Sequence, residues 1–386
     1  MAELFYERQL KRLVHEMSDE VGLVQHSQGG VPNPLEHGYS VDDVARGLVV
    51  LSRVYSRFDD KGVHNTYLQY IKNAQKSDGF FHNFYEYKNG KWEWRDEKSH
   101  ALQDCFGRVM WALAEFTGSQ YPENEKQEAE KIFLEHLRIA EELEHEEHNT
   151  SKAFTLLGLS DYILNDYDLK TGNRDVKRII ETLAENLAEK FHENKEDGEG
   201  WMWFSDKMTY CNPKLPHPMI SAGYALKNRG ILDIGKSSLD FLISESFDER
   251  GIFHAIGNNG WYPKDGEPAK YDQQTVEAGD MVEACVDAYK ILGLSKKAKL
   301  NSQLFRSSSP KPLHKTESFG DYEKYKEYAR KAFEWFNGRN IAGKSMLDSV
   351  TGGVYDAITE KGINTNQGAE SILSYLLAAT KLEELN

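Results

Sequence analysis

The sequence predicts an all-α protein, an (α/α)6 toroid of six inner and six outer helices with short β-hairpins in the loops on one face. Two observations predict it. Helices that are apolar on all sides alternate with amphipathic, highly charged helices, six of each kind. The connections from an inner to an outer helix are mostly short, whereas those from an outer to the next inner helix are long. Helices that are apolar all round lie in an interior, whereas helices with one polar face lie outside.

The inner helices are predicted from six apolar runs rich in small residues. The first begins at residue 41, where Ser40 followed by Asp43 is typical of an N-terminal cap. The six runs are VDDVARGLVVLSRVY, HALQDCFGRVMWALAEF, TSKAFTLLGLSDYIL, PMISAGYAL, TVEAGDMVEACVDAYKIL and GAESILSYLLAAT.

The outer helices are predicted from six charged amphipathic stretches. The first is the N-terminal MAELFYERQLKRLVHEM, and the last is DYEKYKEYARKAFEWF. No domain boundary interrupts the alternation, so residues 1–386 are interpreted as one barrel domain. Residues 294–320 break the pattern, because they are basic, Ser-rich and contain Pro. They are interpreted as a mobile insertion before the last outer helix.

The long loops between an outer and the next inner helix are rich in glycine and aromatic residues. One of them predicts a hairpin, with FFHNFYEY and KWEW on either side of Asn89-Gly90. Aromatic rings beside polar groups suit stacking on sugars, since indole and phenol groups combine a flat apolar face with a polar edge. The aromatic residues expected to line a cleft are Trp92, Trp94, Trp201, Trp203, Tyr210 and Trp261. For each of them, plugging the end of the barrel is an equally open interpretation.

Charge, cysteine content and the N-terminus limit the expected partners and location of the protein. The net charge of −15 disfavours binding to nucleic acid and to anionic membranes. Cys105, Cys211 and Cys285 lie far apart without CxxC spacing, which is typical of a reducing compartment. The N-terminus does not have the pattern of a signal peptide, and no apolar run is long enough to cross a membrane. A cytoplasmic location is expected, and the sequence does not identify a protein partner.

Acidic residues recur where the inner helices begin. Asp42 and Asp43 open the first helix, and neighbouring residues on a helix point about 100° apart. One of them is therefore expected to cap the helix or pair with Arg46, while Asp43 projects into a cleft. Six such openings around one ring converge on a single pocket. The candidate catalytic residues are Asp43 and its preferred partner Glu277, followed by Asp42, Glu370 and Asp104.

Polar and aromatic residues near the same helix starts are candidates for contacting a substrate. No HExxH motif or Cys/His spacing indicates a metal site, so neither a metal nor a cofactor is expected. The candidate substrate-binding residues are His37, Tyr39, Arg46, His100, Gln103, Trp201, Trp203, His217, Trp261, Gln274, Asp280 and Gln367.

Three stretches, HGYSVDDVARGL, QQTVEAGDMVEACVDAY and TGGVYD with NTNQGAESILSYLLA, carry a family resemblance. They resemble bacterial and archaeal proteins of the six-hairpin glycosidase-like group, some of which are labelled as, or fused to, glycosyltransferases. The resemblance covers essentially the whole chain and implies an (α/α)6 toroid with a carbohydrate role. It implies no specific reaction. The adjacent aspartates also resemble those of (α/α)6 glycosidases that act on mannans.

Two function classes follow. The first is a glycoside hydrolase that cleaves a small oligosaccharide, such as a mannoside or a glucoside, with a pair of carboxyl groups. The second is a sugar-binding or scaffold module without catalysis. A sugar epimerase on the same barrel also remains open, with His217 and His254 as its acid and base. The sequence does not distinguish retention from inversion, and it does not identify the sugar.

Overall fold

The computed structural model describes residues 4–98, 103–145, 148–165, 173–195, 200–297 and 322–385. In chain order the helices are α1 (Glu7–Arg12), α2 (Pro34–His37), α3 (Val41–Val54), α4 (Val63–Asn73), α5 (Gln103–Thr117), α6 (Glu123–Glu135), α7 (Leu137–Glu142), α8 (Asn149–Asn165), α9 (Asn173–Asn194), α10 (Pro216–Ala225), α11 (Arg229–Ser246), α12 (Thr275–Lys297), α13 (Glu323–Phe333) and α14 (Ala369–Leu382). A π-helical turn, Leu13–Met17, extends α1.

The inner ring consists of α3, α5, α8, α10, α12 and α14. Each of these helices contacts the next, and α14 contacts α3, so the ring is closed. Outside it, α4, α6, α9, α11 and α13 each pack on the inner helix with which they form a hairpin. The N-terminal α1 contacts α14 and completes the outer layer. The predicted (α/α)6 toroid is therefore confirmed.

Two glycines show how closely the helices approach. A Cβ atom on Gly158 of α8 would lie 2.6 Å from the backbone nitrogen of Trp111 on α5. One on Gly223 of α10 would lie 2.5 Å from the backbone nitrogen of Leu232 on α11. Because the blocking atoms belong to the backbone, a larger side chain would force these helices apart. The small residues of the apolar runs thus permit close helix packing.

The loops contain short β-strands. They are β1 (Ser27–Gln28), β2 (Val31–Pro32), β3 (Tyr39–Ser40), β4 (Phe84–Lys88), β5 (Lys91–Trp94), β6 (Lys207–Met208), β7 (Tyr262–Pro263), β8 (Gln273–Gln274), β9 (Ala357–Thr359) and β10 (Gly362–Asn364). All pair antiparallel, in the orders β1-β2, β3-β4-β5, β6-β7 and β10-β9-β8. The hairpin at Asn89-Gly90 is confirmed, with φ values of 52° and 82° that suit a type I′ turn.

The insertion predicted at 294–320 is only partly covered by the described residues. Residues 294–297 belong to the end of α12, and residues 298–320 lie outside the described part of the chain. No described helix combines the length and the apolar composition that crossing a bilayer requires.

Candidate functional site

The inner helices α3, α5, α12 and α14 begin at one face of the toroid, which we call the mouth. The start of α3 differs from the predicted cap, because the Ser40 side chain forms no capping bond. Asn83, from the loop before β4, takes its place. Its carbonyl oxygen accepts from the Val41 N–H at 2.8 Å, and its Oδ1 accepts from the Asp42 N–H at 3.2 Å. The two aspartates of α3 are therefore not needed as caps.

Asp42 is held in its orientation by two donors from other elements. Arg108 Nη1 of α5 lies 3.0 Å from Asp42 Oδ1, and Asn83 Nδ2 donates to Oδ2 at 2.8 Å. The Asp42 side chain is 19% exposed. On the same helix as Arg108, both polar atoms of the Gln103 side chain are buried without a hydrogen-bond partner among the described residues, as is Arg108 Nε.

Asp43 and Glu370 share one guanidinium. Arg46 Nη1 lies 3.5 Å from Asp43 Oδ1, and Arg46 Nη2 lies 3.2 Å from Glu370 Oε2. Arg46 also donates to the Tyr210 hydroxyl at 2.9 Å, and that hydroxyl donates to Glu370. Arg46 thus pairs with the aspartate that was expected to project. Burial raises the pKa of Asp43 to about 7, against the opposing charge of Arg46. Glu370, in contrast, has a side chain that is 32% exposed.

The segment from Tyr210 to Lys214 crosses the mouth and reaches Glu277 on α12. Cys211 has a φ of 53°, which is uncommon for a non-glycine residue and typical of functional sites. The next residue, Asn212, donates its backbone N–H to both Glu277 oxygens at 3.3 Å and its side-chain Nδ2 to Oε2 at 3.2 Å. Burial, and next the charge of Asp280, raise the pKa of Glu277 to about 8.

Beneath the mouth lies a buried ion network. Lys214 Nζ is 2.6 Å from Glu283 Oε2 and 3.4 Å from Asp280 Oδ1. Arg53 Nη1 lies 2.6 Å from Glu283 Oε1, and Arg53 Nη2 lies 2.7 Å from Glu115. Burial alone would raise the pKa of Glu283, but the charges of Lys214 and Arg53 lower it to about 2. Glu277 and Glu283, six residues apart on α12, therefore have opposite environments.

His217 belongs to the lower level and not to the mouth, where it was expected. Its Nε2 lies 2.7 Å from Asp287 Oδ2, and Lys381 Nζ lies 2.8 Å from the other oxygen of Asp287. The helix that carries it, α10, begins only after the segment that crosses the mouth. His254 is also remote from this cluster, with Nε2 at 3.2 Å from Asp248 in a turn beyond α11.

The aromatic residues of the loops mostly pack against protein. Trp201 is buried and donates its indole N–H to the Ser205 carbonyl at 2.6 Å. Trp203 is fully buried. Trp92 and Trp94 lie on the hairpin of β4 and β5, where Trp92 stacks on Tyr85 at 5.4 Å between ring centroids. Only Tyr210 among the aromatic candidates contacts the charged groups of the mouth in the described residues.

The remaining candidates are dispersed. Tyr39 is buried and donates to Asp19 at 2.6 Å, and Gln367 donates to Asp348 at 2.8 Å and accepts from Thr351 at 2.9 Å. These contacts hold loops together. Asp104 accepts from Ser151 Oγ at 2.7 Å, which joins the starts of α5 and α8. Of the other candidates, Trp261 and Gln274 are half-buried. His100 lies outside the described part of the chain.

A histidine that the sequence did not single out lies at the rim of the mouth. The rings of His26 and His37 are 5.6 Å apart in an edge-to-face arrangement. His26 Nδ1 and His37 Nε2 are both buried without a hydrogen-bond partner among the described residues. Burial lowers the pKa of His26, and the charges of Asp356 and, more weakly, Glu370 oppose that shift. His26 follows a β-bridge in an irregular loop, so no periodic pattern marks it.

The functional groups at the mouth and its rim include carboxyl, guanidinium and imidazole groups. Within the ranges that the structure describes, no group of three or more His, Cys, Asp and Glu side chains is arranged to hold a metal ion. All three cysteines are free and buried. The groups that can move protons at the mouth include its carboxyls, the Tyr210 hydroxyl and the two histidines at its rim.

Comparison with known proteins identifies the fold. No family model matches the chain, and no curated protein matches it in sequence. Among solved structures, a D-mannose isomerase superposes with a TM-score of 0.64 at 12% identity, covering 99% of this chain and 96% of that one. The cellobiose 2-epimerase of Spirochaeta thermophila DSM 6192 gives 0.64 at 11% identity, covering 98% and 97%. The GH76A α-1,6-mannanase of Salegentibacter sp. HEL1_6 gives 0.58 at 12% identity, covering 99% and 98%.

The raised pKa of Glu277 predicts that Glu277→Gln stabilises the protein at alkaline pH. An unfolded glutamate has a pKa of about 4.3. Between pH 4 and 8 the folded protein keeps a proton that the unfolded chain releases, so the free energy of unfolding falls as the pH rises, by roughly 1.4 kcal/mol per pH unit. Glutamine does not ionise and can still accept from Asn212. We expect nearly equal melting temperatures at pH 4 and a higher one for the variant at pH 8.5.

The matched control is Glu283→Gln on the same helix. The pKa of Glu283 is lowered to about 2, so its ionised form is the stabilising one, and this variant should melt lower at both pH values. A Glu277→Gln difference that does not change with pH would contradict the environment assigned to Glu277.

Proposed function

We propose that the chain is a carbohydrate-processing enzyme, and specifically a glycoside hydrolase that cleaves a small oligosaccharide at the mouth. The observation that carries this proposal is the coexistence of two kinds of carboxyl group. Asp43 is buried with its pKa raised to about 7, whereas Glu370 is partly exposed and lies beside Arg46. Glycosidic cleavage needs one carboxyl as an acid and another as a base or nucleophile.

In the proposed reaction, Asp43 gives its proton to the glycosidic oxygen while the bond from that oxygen to the anomeric carbon breaks. Glu370 takes a proton from a water molecule, whose oxygen attacks the same carbon. The leaving sugar departs with a hydroxyl group, and solvent exchange restores both carboxyls. One guanidinium contacts both residues, at 3.5 and 3.2 Å, so their separation is compatible with the roughly 5–9.5 Å of glycosidase carboxyl pairs.

The other mouth residues have supporting tasks in this proposal. Asp42, fixed by Arg108 and Asn83, is placed to accept hydrogen bonds from sugar hydroxyls. Glu277, expected from the sequence to be the partner of Asp43, is enclosed by Asn212 and instead holds the crossing segment. The Gln103 side chain and Arg108 Nε, which have no hydrogen-bond partner among the described residues, also favour a polyhydroxyl ligand, since buried polar atoms nearly always have a partner.

Similar structures favour a sugar as the substrate. Variants of the Salegentibacter mannanase in which two consecutive aspartates are replaced are described as inactive, and one was solved with α-1,6-mannotetrose. This chain also has consecutive aspartates at its mouth, although the two proteins share 11% identity. A mannoside or a glucoside is therefore the first substrate class to examine.

A sugar epimerase or isomerase is the second candidate function, and the His26–His37 pair favours it. Such a reaction removes a proton from a carbon beside the carbonyl group and returns one to the other face or to the neighbouring atom. A neutral imidazole is a suitable base for this step. His26 and His37 are half-buried, each has one enclosed ring nitrogen without a hydrogen-bond partner among the described residues, and the charge of Glu370 acts on His26. Solved structures with the same fold include a mannose isomerase and cellobiose 2-epimerases.

One screen separates these candidates. Purified protein would be incubated with manno- and gluco-oligosaccharides from dimer to tetramer, in ¹⁸O-labelled water for one arm and in D₂O for the other. Hydrolysis releases reducing sugar and places one ¹⁸O atom in a product. Epimerisation and isomerisation release no new reducing end. Epimerisation introduces deuterium at carbon 2 of the reducing sugar, whereas isomerisation of an aldose to a ketose introduces it at carbon 1. Binding without either change would indicate a non-catalytic module and would contradict the proposed hydrolase.

A further inference from the structure

A cavity of about 620 Å³ is lined by residues other than the charged groups of the mouth. It is bounded by α4, by the hairpin of β4 and β5, and by the turn at Glu20 and Val21. None of its lining residues belongs to the site described above. Its volume lies within the range of about 300–1,000 Å³ that small-molecule sites occupy. We call it the α4 cavity.

One wall of the α4 cavity is aromatic. Trp94 lies 4.8 Å from Tyr85 and 5.2 Å from Tyr70, measured between ring centroids, and all three rings line the cavity. Contacts among the rings hold them in place, and His82 supports Trp94 by stacking at 5.5 Å. Tyr85 and Trp94 are partly exposed, and they provide the flat apolar surface against which the C–H face of a sugar ring packs.

A second part of the lining is a row of side-chain amides. Asn65, Gln69 and Asn73 follow one another at intervals of four residues, so they share one face of α4. All three are exposed, and their side chains form no hydrogen bond to any residue in the described ranges. Each amide offers donors and acceptors together. Neighbouring hydroxyl groups of a sugar need this combination, because each hydroxyl donates and accepts.

The charge of the lining further limits the ligand. Glu20 is the one charged residue among those that line the cavity in the described chain, and no lysine or arginine is among them. Anionic ligands such as phosphates therefore lack a counter-charge here. A carboxylate can accept from a hydroxyl group. The Tyr70 hydroxyl, buried beside the cavity, also has no hydrogen-bond partner among the described residues.

From the aromatic wall, the amide row and the missing cationic groups, we infer that the α4 cavity is a second saccharide-binding site. It binds an uncharged stretch of a glycan chain by stacking on Trp94 and Tyr85 and by hydrogen bonds to the amides of α4. A longer glycan held there raises the effective concentration of its free end at the barrel. This inference does not depend on the reaction proposed for the mouth.

The test is migration in native gels that contain soluble α-mannan or mixed-linkage β-glucan, compared with gels without polymer. We expect the wild-type protein to be retarded by at least one polymer. The double variant Gln69→Ala/Asn73→Ala should bind about tenfold more weakly, because it loses several hydrogen bonds. Both positions are exposed on a helix, where alanine is well tolerated. Lys72→Ala, exposed on the same helix but outside the amide row, is the matched control and should be retarded normally.

Two further variants separate this site from the mouth. Trp94→Ala should also abolish retardation. If Trp94→Ala does not fold, the double variant Gln69→Ala/Asn73→Ala still tests the inference. Asp43→Asn, altered at the mouth, should be retarded like the wild type. Absence of retardation with both polymers, or retardation that the double variant leaves unchanged, would overturn the inference. Turnover of a disaccharide tests the mouth alone, so either proposal can fail without the other.

Discussion

Replacement of Asp43 by asparagine should lower kcat/KM for the best oligosaccharide by about 10²–10⁴-fold, the range that general acid assistance contributes. The amide cannot donate the proton that the leaving oxygen needs. Glu370→Gln should cost a similar factor, because it removes the base. Both substitutions keep the size of the side chain and its contact to Arg46. The rates would be measured by release of reducing sugar.

The pH profile identifies the acid. Because the pKa of Asp43 is raised to about 7, the wild-type kcat/KM should fall as the pH rises above about 7. The residual activity of Asp43→Asn should lack this alkaline limb. Asp42→Asn is the matched control, since it changes the neighbouring aspartate, whose proposed task is to bind the substrate. It should raise KM and retain the alkaline limb.

Two results would contradict the assignment. Near-native rates for folded Asp43→Asn and Glu370→Gln would show that these carboxyls do not act on the bond. Deuterium incorporation that survives in Asp43→Asn but is lost in His26→Gln or His37→Gln would favour the epimerase reaction. The melting temperature of each variant would be measured alongside, so that a loss of folding is not taken for a loss of catalysis.

The fold could be predicted because its determinants are local. Apolar faces all round α3 and α5, and charged faces on α4 and α6, are properties of short windows of sequence. The position of the mouth followed from the same windows, since the long loops all precede inner helices. Arg46, Asp43 and Glu370 were all named from their places at helix starts, and the structure brings them into contact.

The details of the site depend on contacts between residues that are far apart in the sequence. Asn83 caps α3 from 41 residues away, and Tyr210 meets Arg46 across 164 positions. A local capping signature at Ser40 was therefore misleading. The burial of Trp201 and Trp203 could not be predicted either. Glycine-rich loops with aromatic residues occur both at exposed clefts and in segments that pack over the end of a barrel. His26 lies in an irregular loop, where periodicity gives no signal.

The largest effect on stability is expected from Glu283→Gln. Glu283 is fully enclosed and accepts contacts of 2.6 Å from both Lys214 and Arg53. A neutral amide leaves these two cations without their shared carboxylate, although each keeps one other acidic neighbour, Asp280 or Glu115. Breaking a buried ion pair by removing one partner typically costs about 3–5 kcal/mol. We expect a loss of this size in the free energy of unfolding, measured by urea titration at pH 7.

The pH dependence and a double variant separate the charge from the packing. Since the pKa of Glu283 is lowered to about 2, its stabilising charge is present above the unfolded value of about 4.3 and is lost as the pH falls toward 2. The difference between wild type and Glu283→Gln should therefore be constant from pH 5 to 8 and shrink at lower pH. Lys214→Met combined with Glu283→Gln should lose less than the sum of the single variants, because the buried ammonium is gone. A loss below about 1 kcal/mol for Glu283→Gln, as for an exposed pair, would contradict a network that works as one buried unit.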